Sequence, residues 1–399
     1  MIYPNAKYEI YVCDNYGNIV APFNIVDFNL FVEVMIQRSV NEIGSCYIKL
    51  SGGSNSTSVL TFMSRYNLLK KDTILQIYRI VGSKKSLLLD TVWFVRTIEQ
   101  YREATGSFII KITAYDTNYL LASRLTSGQF NNSPTTGYVN TQISTIISNL
   151  VSTNIGSQSG GRRMAGFSEA VDLGNYGYSV EHYTATGISY PYVNLLSAIQ
   201  ELSQLTQTPS QANEDLFPVF FDTVAVNTNS FIFQLFANQR GEDRRYSNGL
   251  TKGLLLSDTL GQLQRLRFEA DWQDEKTSIT ALYRVDNNVI IATNRDERRI
   301  ANSPFSVREA FVTSPTIDVN SATINALREP INFPKYTVYA TIQDVPAFLF
   351  GVDWNYGDYV TVNAFGTQVD ARIHAMTITL TNKAEQIDVS MQVSESLAY

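Results

Sequence analysis

The sequence predicts a mainly β protein, α+β overall, in which two related small β-barrel domains flank a different middle domain. Most of the chain consists of stretches in which apolar and polar residues alternate, which is typical of strands with one buried face. Glycine, asparagine and aspartate separate these stretches and predict tight turns. One pattern occurs twice: Asp72 precedes the alternating stretch 74–77 as Asp358 precedes Val360. We therefore expect a duplicated barrel, with the two aspartates at the start of equivalent strands.

The first barrel (tube) domain is predicted to cover residues 1–115. Its opening strand lies at residues 8–12, and the Asn- and Gly-containing residues 14–18 predict a hairpin turn. A long strand over residues 28–36 leads into a second turn at residues 41–45, after which the alternation resumes. The remaining strands of this barrel are expected at residues 72–77, 91–95 and 108–113.

Residues 116–245 are predicted to form an α+β middle domain. Asp116 can cap a short helix. Apolar residues at helical spacing predict two longer helices, at residues 143–151 and 193–206. The glycine-rich residues 156–163 are expected to be a flexible loop that a neighbouring subunit covers. Two aromatic strands, expected at residues 217–221 and 231–235, complete this domain as a hairpin.

A linker at residues 246–262 is predicted to lead into the second barrel (tube) domain, residues 263–399. Asp286, Asn287 and Asn288 predict a hairpin turn between two alternating stretches. A short helix is expected around Ile324 and Leu327. The last three strands are expected to form a meander: the first carries Val360 and Val362, and the second and third lie at residues 369–375 and 387–393.

Composition narrows the classes of function. The 399 residues carry a net charge of −6, which argues against a protein that binds nucleic acid through phosphate attraction. Cys13 and Cys46 are too few for a disulfide framework. The first residues lack the pattern of a signal peptide, and no apolar run reaches the length of a membrane span. We therefore expect a protein that folds in the cytoplasm and has no membrane-spanning segment.

The sequence offers little chemistry. His182 and His374 are far apart and have no cysteine or second histidine at metal-ligand spacing. His374 lies within a predicted strand, where a structural role is the simpler interpretation. Arg162 and Arg163 are interpreted as a solvated loop tip. We predict no catalytic, cofactor-binding or metal-binding residues, no cofactor and no enzymatic activity.

One carboxylate cluster was weighed as a site of glycan cleavage or binding. Asp271, Asp274 and Glu275 surround Trp272, and paired carboxylates beside an aromatic side chain are typical of glycoside hydrolases. The simpler interpretation is a solvated acidic turn that leads into a strand. A glycan-binding or glycan-cleaving β protein therefore stays an alternative function.

Three segments resemble siphophage tail-hub proteins, in the same order along nearly the whole chain. Residues 37–50 resemble the strand–turn–strand opening of that family, and residues 112–124 resemble the segment with which those hubs leave their first barrel. Residues 355–362, followed by Arg372 and Ile373, are similar to the closing strands. Two departures concern the subfamily: Cys46 stands where an aromatic residue is expected, and Lys70 and Lys71 replace glycine before Asp72.

The resemblance implies a structural virion protein, the hub of a phage tail tip or baseplate. Such hubs are homotrimers whose six barrels give a pseudo-sixfold ring around the DNA channel. The ring would join the distal tail or tail tube protein to tail tip or fibre proteins, in a virion tail assembled in the host cytoplasm. DNA would pass through without specific nucleic-acid binding. A hexameric distal tail ring protein, with one barrel per chain, is the second alternative.

Overall fold

The computed structural model describes residues 6–21, 31–52, 71–127, 138, 141–170, 184–185, 190–206, 218–246, 253–285, 288–314, 318–327, 332–345, 348–381 and 384–393. The predicted fold class is confirmed, because the protein is mainly β and most of its strands belong to large antiparallel sheets. The predicted hairpin residues 286–287 and His182 lie outside the described residues.

The first set of strands, here called unit 1, forms from the alternating stretches of the N-terminal part. In the strands at residues 7–13, 45–51 and 108–115, the apolar side chains of one face are buried and most side chains of the other face are partly exposed. Its strands are β1 (Lys7–Cys13), β2 (Ile19–Ala21), β3 (Phe31–Ser39), β4 (Ser45–Ser51), β5 (Ile74–Val81), β6 (Lys84–Leu87), β7 (Trp93–Arg102) and β8 (Phe108–Tyr115).

The middle unit combines helices with two small sheets. Its helices are α1 (Tyr119–Ala122), α2 (Ile143–Asn154) and α3 (Leu195–Thr206). Its strands are β9 (Thr141–Gln142), β10 (Phe167–Ala170), β11 (Thr184–Ala185), β12 (Val219–Asn227) and β13 (Ser230–Ala237). The apolar stripes of α2 and α3 pack into one core with the aromatic residues of β12 and β13.

The C-terminal strands, here called unit 2, hold an inserted segment. The strands of unit 2 are β14 (Asp243–Arg244), β15 (Leu255–Ser257), β16 (Leu263–Asp271), β20 (Lys335–Ile342), β21 (Tyr359–Ala364), β22 (Thr367–Thr381) and β23 (Glu385–Val393). The insertion, residues 272–334, contains β17 (Ser278–Val285), β18 (Asn288–Arg295), α4 (Glu297–Ala301), β19 (Glu309–Thr313) and α5 (Val319–Leu327).

Part of the stretch predicted as a linker takes part in the sheet of unit 2. Leu255–Ser257 pairs in parallel with β21, and Asp243–Arg244 pairs with the same strand further along. Leu256 and Ser257 are buried there, so this stretch packs instead of spanning solvent. The division of the chain at residues 115, 245 and 262 remains a proposal.

Units 1 and 2 repeat one strand order. In unit 1 the sheet runs β5-β7-β8-β4-β3, and in unit 2 it runs β21-β22-β23-β20-β16. The third strand of each order follows the second in sequence, and the fourth precedes both, so the connections also correspond. β7 carries a bulge between Val95 and Thr97, and β22 carries one between Ile373 and Ala375. The matching bulges align the two units residue by residue.

Asp72 and Asp358 precede equivalent strands, β5 and β21, as expected, and the alignment shows that they are offset by one residue. Val95 donates a backbone hydrogen bond to Thr73 O, and Ile373 donates one to Asp358 O, each at 2.9 Å. Asp358 therefore corresponds to Thr73, and Asp72 corresponds to Gly357, one residue from the predicted match. The physical reason is the backbone: this position has φ +62° at Asp72 and +86° at Gly357, a region that favours glycine and tolerates aspartate.

The two units share one sheet and one core. β22 of unit 2 pairs antiparallel with β3 of unit 1, with Thr377 opposite Gln37 and Ile378 opposite Ile36. The order β16-β20-β23-β22-β3-β4-β8-β7 is thus one continuous path of eight strands. Buried residues from both units form a single apolar cluster beneath it.

Candidate functional site

The candidate functional site is a surface, the side of the eight-stranded path that points away from the shared core. We call it the outer face. The alternation in each strand sends apolar side chains inward, so polar side chains from neighbouring strands meet on the other side. One row across the sheet runs through opposed residues of seven strands: Gln264, Thr341, Asp388, Thr377, Gln37, Ser45 and Tyr115.

Short polar side chains dominate the middle of the outer face. Thr341 Oγ1 donates to Asp388 Oδ1 at 2.5 Å, and Gln386 Nε2 donates to Asp388 Oδ2 at 2.7 Å. Thr377 lies opposite Asp388, and Thr379 lies opposite Gln386. This central part is therefore hydrogen-bonded to itself and carries a carboxylate but no lysine or arginine at these positions.

Two lysines of the outer face have partners within the face. Lys49 lies opposite Glu33 and makes an ion pair with Glu103 at 3.3 Å. Lys111 lies opposite Glu99, and its ammonium group lies 5.1 Å from the ring centre of Tyr101. These side chains are partly exposed, so each pair adds little stability. Their effect is to spread and offset the positive charge.

In unit 2 the same arrangement holds for Arg267. Its guanidinium lies 2.9 Å from a Glu269 oxygen and 4.2 Å from the ring centre of Tyr339. Lys49, Lys111 and Arg267 thus each lie beside a carboxylate. Such a surface offers an approaching polyanion no patch from which many counterions are released.

The two ends of the eight-stranded path are open edges. Among the described residues, β16 pairs with β20 on one side, and residues 97–102 of β7 pair with β8 on one side. Phe268 on β16 lies opposite the fully buried Val338, on the core side of the sheet, yet it is 42% exposed. An edge strand with a half-exposed aromatic residue presents unpaired backbone groups and apolar surface to a partner.

A buried charge cluster fixes the middle unit against both barrels. Arg38 of β3 lies 3.0 Å from Asp116 and 2.6 Å from Asp222, and all three side chains are essentially inaccessible to solvent. Asp222 also binds Arg240 at 2.8 Å, so one carboxylate bridges two arginines. Because burial disfavours its charged form, the pKa of Asp116 is raised to about 6 despite the nearby Arg38.

A second buried arginine joins unit 1 to unit 2. Arg79 of β5 lies 2.6 Å from Asp344 and 2.9 Å from Glu385, and it donates to Phe350 O at 2.6 Å. Breaking a pair of this kind leaves an uncompensated buried charge, which costs about 3–5 kcal/mol. These clusters therefore hold the outer face as one rigid surface.

A polar cavity of about 330 Å³ lies beside this junction. Asp358, at its wall, accepts hydrogen bonds from Glu242 N and Asn355 N, and it binds Arg244 at 3.0 Å. Burial raises the pKa of Asp358 to about 6. The neighbouring Arg240 is likewise ion-paired, so the charges around the cavity are used to join chain segments.

The residues weighed for chemistry are not assembled into one site. Trp272 packs edge-on against Tyr336 and donates its indole N–H to the Tyr336 hydroxyl at 3.1 Å, while Asp271 accepts a turn hydrogen bond from Gln273 N. Glu275 lies 3.7 Å from Arg299. These contacts match a structured turn at the start of the insertion.

The other candidates also make structural contacts. His374 lies in the bulge of β22, and burial lowers its pKa. Arg162 donates to Asn154 Oδ1 at 3.2 Å and to Leu125 O, so the glycine-rich stretch predicted to be flexible is a hydrogen-bonded turn. In the described ranges, no group of three or more His, Cys, Asp and Glu side chains could hold a metal ion. The helices resolved there are all too short or too polar to cross a membrane.

Arg38 and Arg79 are absent from the residues predicted above, although the sequence carries a signal for both. Arg38 lies on the same face of β3 as the buried Val34 and Ile36. Arg79 lies on the same face of β5 as the buried Leu75 and Ile77. A charged residue at a buried position of a strand needs a buried partner. Its occurrence in the alternation therefore predicts a buried ion pair.

The comparisons with known proteins identify the fold. No protein-family model and no curated protein matches the chain. The 43 kDa tail protein of prophage MuSo2 from Shewanella oneidensis is 10% identical, with a TM-score of 0.56 over 96% of this chain and 98% of that one. The tail protein from Neisseria meningitidis MC58 is 10% identical, with a TM-score of 0.55 over 96% of each chain.

A third likeness is to a chain of a PdpA–VgrG complex. A chain of the lidded Francisella PdpA–VgrG complex is 9% identical, with a TM-score of 0.52 over 98% of this chain and 53% of that one. At such identities these likenesses show a common fold. The fold expected from the motif resemblance is confirmed: the chain has the fold of phage tail proteins.

Proposed function

We propose that this protein is the hub of a phage tail tip or baseplate, a structural virion protein without enzymatic activity. Three copies would form a pseudo-sixfold ring around the DNA channel. The ring would join the tail tube or distal tail ring above it to tip proteins or fibres below it. The protein would reside in the virion tail, after assembly in the host cytoplasm.

The observation that carries the proposal is the repeat within one continuous sheet. Units 1 and 2 share a strand order and a bulge, and β22 and β3 join them side by side. Three copies of a chain with two such units supply six similar units to a closed ring, and closed rings are the common outcome of head-to-tail contacts. A chain built in this way fits between a threefold and a sixfold partner.

The outer face supports the role of a channel lining. Lys49 and Arg267 are paired with carboxylates, Lys111 lies beside a tyrosine ring, and the middle of the face carries threonine, glutamine and serine side chains. Double-stranded DNA is held mainly by lysine and arginine that release counterions from phosphates. A face of this composition would let DNA slide past without retaining it.

The alternatives receive less support. A hexameric distal tail ring would need one barrel per chain, whereas this chain carries two units of one strand order. A glycan-cleaving protein would need an open pair of carboxylates, whereas Asp271 and Glu275 make turn and ion-pair contacts.

The test is the stoichiometry and symmetry of the assembled protein. The full chain should form trimers in light scattering as its concentration rises, and a symmetry-free reconstruction of the tail tip should show three copies at one level. Six identical copies at one level would overturn the hub proposal in favour of the distal ring. A strongly basic bore would also contradict it.

A further inference from the structure

The two open edges of the sheet are equivalent to the two strands, β22 and β3, that join the units inside the chain; we call this pairing the internal seam. In that internal seam, Ile378 of β22 lies opposite Ile36 of β3, and both side chains are fully buried. β7 is the counterpart of β22, and β16 is the counterpart of β3. Within the described chain neither of these outer edges has the partner that its counterpart has.

The repeat assigns each edge residue a counterpart. Ile36 pairs with Cys46, whose other neighbour Ala114 lies opposite Val95 at the first bulge. The same path can be followed in unit 2, starting at Ile373 beside the bulge of β22 and ending at Phe268. Its chain of opposed residues is Ile373, Met391, Val338 and Phe268.

Phe268 is therefore the counterpart of Ile36. Phe268 is the more exposed of the two, as expected if its strand lacks the neighbour that covers the strand of Ile36. Ile36 is 0% exposed because β22 covers its strand, whereas Phe268 is 42% exposed on the open edge of β16. Covering apolar surface of this size is favourable by roughly 25 cal/mol per Å². The open edge of unit 2 thus resembles the edge of unit 1 with its neighbour removed.

We infer that β7 of one copy pairs antiparallel with β16 of the next, in the register of the internal seam, so that Glu99 lies opposite Glu269 and Gln100 lies opposite Phe268. Glu99 corresponds to Thr377, and Glu269 corresponds to Gln37, which are opposed in the internal seam. The occupant of each edge is a second copy of this chain. The inference deepens the proposed function, because it rests on ring assembly and names the strands and the register that close the ring.

The outer face agrees with this register. Glu99 lies opposite Lys111, and Glu269 lies opposite Thr337, so both carboxylates point to the outer face, as Thr377 and Gln37 do. The pairing would continue the outer face from copy to copy without a break. Within one chain the two edges lie seven strand spacings apart, about 34 Å along the sheet, and the described strands β16 and β7 do not pair with each other.

The test uses introduced cysteines in the full chain. Glu99→Cys and Glu269→Cys are combined in one chain and bridged with a short bismaleimide, and the products are separated on a denaturing gel. Both native cysteines are buried, and burial raises the pKa of Cys13 to about 11, so background labelling should be low. We expect covalent dimers and trimers in at least a tenfold excess over the parent protein.

Two control pairs define the register. Thr377→Cys with Gln37→Cys should cross-link within one chain and leave the monomer mass unchanged, because these residues are opposed inside the molecule. Glu99→Cys with Gln264→Cys displaces the second cysteine by five residues, about 17 Å along the strand, and should give no covalent oligomer.

The outcomes separate the inference from the proposed function. Trimers in light scattering together with cross-linking at 99 and 269 support both. Trimers without this cross-link, or with cross-linking only in the displaced pair, overturn the register and leave the hub proposal intact. A protein that stays monomeric at all concentrations and gives no cross-link overturns both.

Discussion

Units 1 and 2 share five strands in the same order but differ in one connection, the one that joins β3 to β4 in unit 1 and β16 to β20 in unit 2. In unit 1, β3 and β4 are joined by residues 40–44, and Asn41 in this turn binds the middle unit through Ser203 Oγ and Phe221 N. In unit 2, the equivalent strands β16 and β20 are joined by the whole insertion, residues 272–334. The sheet is thus kept constant while its connections diverge.

The buried face differs as well. Arg38 of unit 1 corresponds to Ala270 of unit 2, so the charge cluster that holds the middle unit exists in one copy of the repeat only. The outer face is thus shared by the two units, whereas the Arg38 contact to Asp222 of the middle unit belongs to unit 1 alone; unit 2 contacts the middle unit elsewhere, through Arg372 and Asn238. Four predictions test this contrast.

The largest effect is expected for Arg38→Ala, which gives unit 1 the apolar position of unit 2. The change leaves Asp116 buried without its arginine and Asp222 with Arg240 alone. We expect the free energy of unfolding to fall by about 3–5 kcal/mol in guanidinium titrations. Arg267→Ala removes an exposed ion pair and should cost no more than about 1 kcal/mol. Equal losses in the two variants would contradict a special role for the buried cluster.

The second test concerns Gly357, which stands just before β21 at the position that Asp72 occupies in unit 1. Gly357 has φ +86°, and a Cβ there would lie 2.8 Å from the Arg240 side chain. Gly366→Ala is the matched control, since Gly366 has φ +84° and open space around it. We expect Gly366→Ala to cost about 1–2 kcal/mol from backbone strain, and Gly357→Ala to cost about 1–3 kcal/mol more from crowding. Thermal unfolding that ranks the two variants equally would show that the junction beside Gly357 yields easily.

The third test uses acid. Asp358 has a raised pKa of about 6 from burial, and its unit 1 counterpart is Thr73, which does not titrate. A carboxyl group whose pKa is higher in the folded state stabilises the fold when protonated, and this contribution is lost as pH rises through about 6. The parent protein should therefore gain stability relative to Asp358→Asn as the pH falls from 7.5 to 5, with Arg244 and Glu242 as the facing charges. Denaturant titrations at several pH values measure this difference, and parallel pH profiles would refute it.

The smallest effect concerns the seam between copies. The internal seam opposes Thr377 and Gln37, which are uncharged, whereas the inferred external seam opposes Glu99 and Glu269. Like charges directly opposite each other weaken a strand pair by a few tenths of a kcal/mol up to about 1 kcal/mol. Glu99→Gln should thus lower the concentration needed for half-assembly a few-fold at low salt, as measured by mass photometry. Glu103→Gln, which alters a partner of Lys49 away from the seam, serves as the control and should leave that concentration unchanged.

The sequence predicted the strands and helices well because their signals are local. Alternation located β1, β4 and β23, and the helical spacing of Ile143, Ile147 and Leu150 located α2. Asp72 and Asp358 do precede equivalent strands, but they are offset by one residue because glycine and aspartate can both take positive φ. A pattern of residue types therefore located the turn but did not fix the register.

The sequence predicts which residues lie on the outer face, but it does not predict that the face continues across all eight strands. Polar residues such as Thr377 and Lys49 alternate with apolar ones in the sequence, which predicts an exposed face for each strand. The pairing of β22 with β3 joins strands more than 300 residues apart, as the register of Thr377 with Gln37 shows. No local periodicity encodes such a contact, so the continuity of the sheet emerged only from the structure.

The insertion in unit 2 has a further consequence for how this protein can be engineered. The chain leaves β16 at Asp271 and returns to β20 at Lys335, and these two residues are opposed in the sheet. A segment whose ends are already adjacent can be excised and replaced by a short hairpin loop without moving either strand. The five-residue connection of unit 1 demonstrates that the same strand pair closes with so little chain. Residues 272–334 are therefore a natural grafting position, at which a foreign domain could be displayed while the strands of the shared sheet are left unchanged.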